Sequence, residues 1–357
     1  MADKAIIMGM ANTRTIIPPR HPFVKAIVDG LAHHCDVASG QILLLAISGG
    51  ADSVALLRAM TAIAQRRRWK LQLVVGHVQH HLRDEAEDEA HFVQALATSL
   101  NLPYIRRDLD IPKTGNTEAL ARTQRYDALR SMAKTHHCTA IVTAHHGQDQ
   151  LETLLMRLLR GSGLRGLAAM SWQRPLTDDI RLLRPMLAAS RELVLEFLNH
   201  IKQSWCEDPS NTDITRLRAR LRQTVIPELL NIRPDLPQQI VTTTNQIQAV
   251  NDLLDTQCQH AMTACQSSKT ASQGVLQYNR KALKALDPTL QNMVLRQILL
   301  DAGLGADRIG ANQLQQFGKM IRDQDGSTRQ MKFGPQIQIT LNRTNLMITV
   351  NLQKPGT

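Results

Sequence analysis

The sequence predicts a doubly wound, mainly parallel α/β sheet followed by a mostly helical C-terminal domain. Between Gln41 and Ala144, short β-rich runs at residues 42–47, 71–77 and 141–143 alternate with helix-length amphipathic stretches. That is the pattern of βαβ units around a parallel sheet. With 43% apolar residues, a chain of 357 can also bury more than one core. After Gly161 the alternation gives way to Gly- and Arg-rich loops and then to helices.

Residues 42–47 are apolar throughout, as a strand covered on both faces requires. Residues 52–68, 84–100, 116–135 and 149–159 carry helical spacing, and 103–109 supply a further strand. Helices are expected at 191–202 and 215–230. Proline-bearing turns at 231–237 mark a boundary, which divides the chain into an N-terminal extension (1–20), a catalytic α/β domain (21–230) and a helical domain (231–357). The last domain ends in a hairpin, 336–341 and 346–350. In such a sheet ligands bind beyond the carboxyl ends of the strands, so the turns after Ile47, His77 and Ala144 are the place to look for a site.

A net charge of +11 and a pI near 9.8 point to a polyanionic partner, a solvated cationic surface being the plainer alternative. Aromatic residues make up 3%, which disfavours single-strand binding by stacked aromatic platforms. The five cysteines form no CxxC pair, and their odd number argues against a disulfide framework. His77, His80 and His81 have no Cys or carboxylate set at zinc spacing. No apolar run approaches the roughly 20 residues that span a bilayer, and residues 1–20 lack a secretory signal. A cytoplasmic location is the expectation, with no membrane partner.

The run Ser48-Gly49-Gly50-Ala51-Asp52-Ser53 joins the first strand to the first helix of the alternating region. Two glycines let the backbone approach an anion, and the helix N-terminus aims N–H groups and a positive dipole end at it. A carboxylate at Asp52 would repel a phosphate unless a cation stood between them, so the pattern implies Mg²⁺ held by Asp52. Ser48 and Ser53 can add hydroxyl hydrogen bonds. A tight turn with Asp52 as a simple cap is the alternative. The lysine of a Walker A loop is absent.

The segment resembles the SGGxDS signature of PP-loop ATP pyrophosphatases, adenine nucleotide alpha hydrolase-like proteins that split ATP to AMP and pyrophosphate. That signature alone leaves NAD, GMP, asparagine and tRNA bases open as products or substrates. Three further segments are similar to the tRNA(Ile)-lysidine synthase family. One is Gly76-His77-Val78-Gln79-His80-His81-Leu82-Arg83. The second runs from Asn116 to Tyr126 and leads into Ala144-His145-His146-Gly147-Gln148-Asp149-Gln150-Leu151-Glu152 and then Arg157-Leu158-Leu159-Arg160. The third comprises Leu183-Arg184-Pro185, Asp208-Pro209-Ser210-Asn211 and Arg218-Ala219-Arg220-Leu221-Arg222.

The resemblance implies that the ε-amine of L-lysine is joined to C2 of the wobble cytidine in a CAU-anticodon tRNA(Ile). ATP first adenylates the C2 oxygen, and lysine then displaces AMP. Asp149 and Glu152, three apart at a helix start, project from one face, where an acidic pair can hold an ammonium group. First-turn acids also favour the helix dipole whatever their function. Arg122 and Arg125 are likewise three apart, and the matching family arginines act near ATP and the target base. His145 is placed beside the nucleotide. Residues 157–222 hold eleven Arg and one Lys against seven Asp or Glu, a net +5. Arginine forks suit phosphates, so Arg160, Arg218, Arg220 and Arg222 are expected on tRNA.

The chain departs from the family pattern at Gln79 and Gln148, where members often carry a carboxylate or another polar residue, and at Ala219, which replaces an asparagine. Residues 235–357 resemble the family's helical tRNA-binding extension in outline. The chain ends early relative to the longer members, which implies that a further C-terminal domain is missing. A sulfur-installing PP-loop tRNA modifier is the competing enzyme class, and the absence of CxxC weighs against it. A non-catalytic RNA-binding homologue would be expected to lose Asp52 or the Ser-Gly-Gly turn, and both are present.

Overall fold

The computed structural model describes residues 17–18, 20–80, 86–109, 117–207, 217–268, 275–305, 308–323, 327–333 and 337–350. Most of the N-terminal extension, the His81-Leu82-Arg83 turn and Asp208-Pro209-Ser210-Asn211 lie outside these residues. Two compact units are present, residues 1–248 and 249–357. The described residues contain no helix long and apolar enough to cross a membrane.

The first unit runs α1 (Pro22–His33), β1 (Ile42–Ala46), α2 (Ala51–Ala64), β2 (Gln72–His80), α3 (Ala86–Ser99), β3 (Tyr104–Leu109), α4 (Thr117–Thr135), β4 (Ala140–Val142), α5 (Gly147–Leu159), α6 (Leu164–Leu167), β5 (Gln173–Pro175), β6 (Arg181–Leu183) and α7 (Arg191–His200). Then follow α8 (Leu217–Arg220), a π-helical turn (Leu221–Val225), α9 (Ile226–Ile232) and the start of α10 (Leu236–Cys265). The sheet has the order β3-β2-β1-β4-β6-β5. All neighbours pair in parallel except the edge strand β5, whose Pro175 cannot donate to a ladder. Strand order reverses between β1 and β4, which opens a crevice at their carboxyl ends.

Leu43, Leu44 and Leu45 are fully buried, so β1 is covered on both faces. On one face α4 lays down Tyr126, Leu129, Met132 and Ala133 against Leu44, Val74, Ile141 and Leu182. The other face holds the larger core, including Phe23, Ile27 and Leu31 of α1, the body of α2, and Val194, Phe197 and Leu198 of α7. The sequence reading missed α1, β5 and β6. The two strands are three residues long and carry Arg or Pro, too little for a period to register.

The first unit ends at residue 248 rather than at 230. The prolines near 234 open α10 without ending the packed body, because its first turns stay docked on it. Val241 is buried in the same core, Thr244 Oγ1 accepts from Gln150 at 3.0 Å, and Asn245 accepts from the Trp172 indole at 2.9 Å. The second unit contains the rest of α10, β7 (Gln266–Ser268), β8 (Val275–Asn279), α11 (Arg280–Ala285), α12 (Pro288–Asp301), α13 (Ala311–Arg322), β9 (Arg329–Phe333), β10 (Ile337–Leu341) and β11 (Asn345–Val350). The expected hairpin is β10–β11, and it sits inside a five-stranded antiparallel sheet, β7-β8-β11-β10-β9. Helices dominate this unit, but the three added strands were not legible as a period.

Gly30 of α1 lies against the Pro185 carbonyl, which a Cβ would strike. Because that atom is backbone in the packed segment just beyond β6, Gly30→Ala should destabilise the first unit by about 1–3 kcal/mol. Chemical denaturation followed by tryptophan fluorescence checks this, and an unchanged midpoint would mean that α1 is free to shift.

Candidate active site

The phosphate turn leaves β1 at Ile47 and enters α2 at Ala51. Gly49 has φ +97°, a conformation that side chains resist. The Ser53 hydroxyl ties the loop together: it accepts from the Ser48 and Gly49 amides, both at 3.2 Å, and donates to the Gly50 carbonyl at 2.9 Å. No side chain caps α2, which leaves its N-terminus suited to an anion. From behind, the His77 ring bonds the Ile47 carbonyl at 2.8 Å and Gln79 at 2.7 Å, so both ring nitrogens are engaged in holding the turn.

The reversal between β1 and β4 brings α5 beside this turn. His146 is the N-cap of α5, its Nδ1 accepting from the Gln148 amide at 3.2 Å. Asp149 closes the capping box on the His146 amide at 3.0 Å. With Nδ1 accepting, the ring proton belongs on Nε2, which lies 3.6 Å from Asp52 and 3.5 Å from Asp149. Burial alone would lower the His146 pKa, but Asp149 and Asp52 together raise it above the ordinary histidine value. His146 thus links the phosphate turn to the acidic pair. Arg191 at the start of α7 reaches Asp52 at 3.3 Å. The other Asp52 oxygen is buried without a hydrogen-bond partner among the described residues.

Asp149 and Glu152 do stand together, but they are not open to solvent. Arg218 donates to Glu152 at 2.8 Å and to Asp149 at 3.2 Å, and Arg222 to the same two at 2.6 and 3.3 Å. The Glu152 carboxylate is fully buried, while the two arginine side chains are about one-third exposed. The pair expected to hold an ammonium group is thus met by two guanidiniums, and Arg218 and Arg222, expected on tRNA, face these carboxylates. The helical turns after residue 217 fold onto α5, and a buried carboxylate left unpaired would cost far more than an exposed arginine gains.

The cleft between these elements is lined by Ser48, Asp52, Ser53, Gly76, Arg125, Tyr126, Thr143 and His145 among others. His145 meets the Thr143 hydroxyl at 2.9 Å, and burial above all lowers its pKa to about 3, so it is neutral. Arg122 is exposed, its guanidinium 5.5 Å from the Tyr126 ring. Arg160 caps the far end of α5, about 16 Å along the helix from Asp149, and does not line the cleft. Arg220 is exposed and also lies off the cleft lining. Sequence reasoning missed His146 as the link, and it missed Arg191. His146 stood inside a quoted motif, whereas Arg191 lies 139 residues from Asp52 and had no local signal.

The sequence profile of the PP-loop domain family matches residues 24–229. A Nostoc sp. protein named tRNA(Ile)-lysidine synthase is 34% identical over 267 residues, 72% of this chain and 77% of its own length. A Thermobifida fusca protein of the same name is 32% identical, covering 82% of this chain and 87% of its own. One from Enterococcus faecalis is 30% identical over 80% of this chain and 61% of its own. Among solved structures, a U34-tRNA thiolase from Methanococcus maripaludis with its [4Fe-4S] cluster superposes with a TM-score of 0.54 at 15% identity, over 63% of this chain and 77% of that one. That likeness concerns the fold.

Burial would raise the Asp149 carboxyl, but His146, His145, the His146 amide and Arg218 bring it down to about 2. A depressed carboxyl contributes stability that is complete above its unfolded value of 3.8 and is lost as pH falls towards 2. Asp149→Asn should therefore flatten the acid limb of stability between those values in denaturation curves. An acid limb identical to that of the wild type would show that the carboxyl is not held by these cations.

Proposed function

The chain belongs to the tRNA(Ile)-lysidine synthase family of PP-loop proteins, and from that premise we propose that it ligates L-lysine to C2 of the wobble cytidine of a CAU-anticodon tRNA(Ile), splitting ATP to AMP and pyrophosphate. The observation that carries this reading is a chain of contacts in which the Ser-Gly-Gly turn on the cleft is joined through Asp52 and His146 to the buried pair Asp149 and Glu152 beside it. The first half suits a polyphosphate and the second suits an amine, the two things the reaction must bring to one base. None of the five cysteines is among the residues that line the cleft.

Ser48, Gly49, Gly50, Ala51 and Ser53 hold the phosphates against the N-terminus of α2. Asp52 would hold Mg²⁺, and its orphaned buried oxygen fits such an ion. No cluster of three or more His, Cys, Asp or Glu could hold a metal among the described residues. Mg²⁺ supplies charge neutralisation on the departing pyrophosphate. Arg191, already on Asp52 and partly exposed, can turn to the same phosphates. Arg122 and Arg125 stand on the α4 wall towards the target base, and neutral His145 packs beside the nucleotide.

Asp149 and Glu152 take the lysine amine in exchange for contacts with Arg218 and Arg222. Their carboxylates can accept the proton that the amine must lose before it attacks. The displaced guanidiniums then face the RNA, which couples lysine entry to tRNA docking and retains a role for both arginines on phosphate. Arg160 and Arg220, exposed and off the cleft, fit more peripheral backbone contacts.

Mass spectrometry of nucleosides from isoleucine tRNA incubated with the protein, ATP and lysine should detect lysidine. Asp52→Ala should abolish AMP release, and ADP as product would contradict the reading. Asp149→Asn and Glu152→Gln should leave pyrophosphate release largely intact while raising the lysine requirement. Truncating one partner of a buried charge pair costs about 2–5 kcal/mol, or roughly 30-fold to several thousand-fold. Loss of adenylation with unaltered lysine dependence would assign both carboxylates to the nucleotide.

A further inference from the structure

The α4 wall of the cleft carries a second concentration of positive charge. The guanidinium carbons of Arg122, Arg125 and Arg174 lie 5.5, 5.6 and 5.5 Å from the centre of the Tyr126 ring, within cation–π range. Arg184, just beyond β6, is 3% exposed; it donates to the Ser171 carbonyl at 2.6 Å, and its Nε is buried without a partner. The Tyr126 hydroxyl is buried, and among the described residues it faces only the Arg125 and Arg184 guanidiniums, without a well-aligned hydrogen bond. Arg191, Arg218 and Arg222 each meet a carboxylate. Among the described residues Arg122, Arg125 and Arg174 meet none.

Such a cluster opposes its own folding. Burial lowers the pKa of both Arg125 and Arg184, and a neighbouring arginine lowers each further. The Tyr126 phenol, which burial would raise, is pulled below its ordinary value by the same four arginines. Like charges gathered in a half-buried wall, with unsatisfied donors among them, are relieved by an anion that brings oxygens to several at once.

We propose that Arg122, Arg125, Arg174 and Arg184 around Tyr126 form a second oxyanion subsite, separate from the phosphate turn, that takes a phosphodiester of the RNA strand beside the base being modified. The polyphosphate already has the turn and the N-terminus of α2. The new subsite has Arg122 exposed and Arg174 half-exposed, so a phosphate arriving on a macromolecule can reach it after the nucleotide is seated. Planar guanidiniums on an aromatic face present paired donors in the geometry a phosphate accepts. The inference rests on the tRNA-modifying activity assigned above.

The test substitutes Arg174, whose side chain meets the Tyr126 ring and no carboxylate among the described residues. For Arg174→Gln, affinity for a tRNA transcript should fall several-fold, and the slope of log affinity against log salt should become shallower by about 1. Binding of a non-hydrolysable ATP analogue without RNA should be unchanged, and the melting temperature no lower, because a like charge has been removed. Arg174→Lys should recover most of the slope. Weaker analogue binding with tRNA affinity intact would assign the subsite to the nucleotide's α-phosphate and overturn the proposal. A lower melting temperature with an unaltered slope would make the cluster structural and overturn it equally. If the wild type forms no lysidine, the assigned activity fails. If it forms lysidine and Arg174→Gln keeps the full slope, the subsite alone fails.

Discussion

Three carboxylates, those of Asp52, Asp149 and Glu152, stand at the carboxyl edge of one parallel sheet, and most of the site is arranged to give them cationic partners there. Glu152 is fully buried and Asp149 nearly so. A buried carboxylate without partners takes up a proton or destabilises the fold. His146 therefore lies between Asp52 and Asp149, two arginines fasten Asp149 and Glu152, and Arg191 reaches Asp52. These partners come from α5, α7 and the helical turns after residue 217, so the site is complete only when all three have docked on the sheet.

Sheet topology makes that convergence possible. The chain winds outward from β1 through β2 and β3, then returns across the sheet to β4. The turns after β1 and β4 consequently diverge at one edge and leave a crevice between them. One carries the Ser-Gly-Gly turn, the other the His146 cap with its two acids. The two turns stand side by side, so the acids of α5 meet the Ser-Gly-Gly turn within one sheet edge.

Once the acids are paired, the cleft still holds an excess of arginine, and the surplus is unevenly distributed. Among the described residues the cations near α5 are balanced by carboxylates, while those around Tyr126 are not. The contrast separates cations that maintain the protein from cations available to a ligand, a distinction that the net charge of +11 cannot express. The paired arginines are also partly exposed, so they can exchange one anion for another without a large rearrangement of the core.

Much of this was legible in the residues themselves. The strand, Ser-Gly-Gly turn and helix around Asp52 form a contiguous stretch whose chemistry is carried by local backbone geometry, and the alternating apolar runs specified the parallel sheet because burial on both faces leaves a continuous signature. Asp149 and Glu152 could be assigned to one helix face from their spacing. The three-residue strands β5 and β6 are too short to show a period, and the end of the first unit was hidden because Val241, Thr244 and Asn245 dock after the prolines that seemed to close it. Which charge answers which was decided by tertiary structure alone: Arg218 and Arg222 lie 66 to 73 residues from their carboxylates, and Arg191 lies 139 from Asp52. Sequence spacing specifies neighbours along a helix or strand, but an ion pair depends on distance through space, and that exists only after the elements have packed.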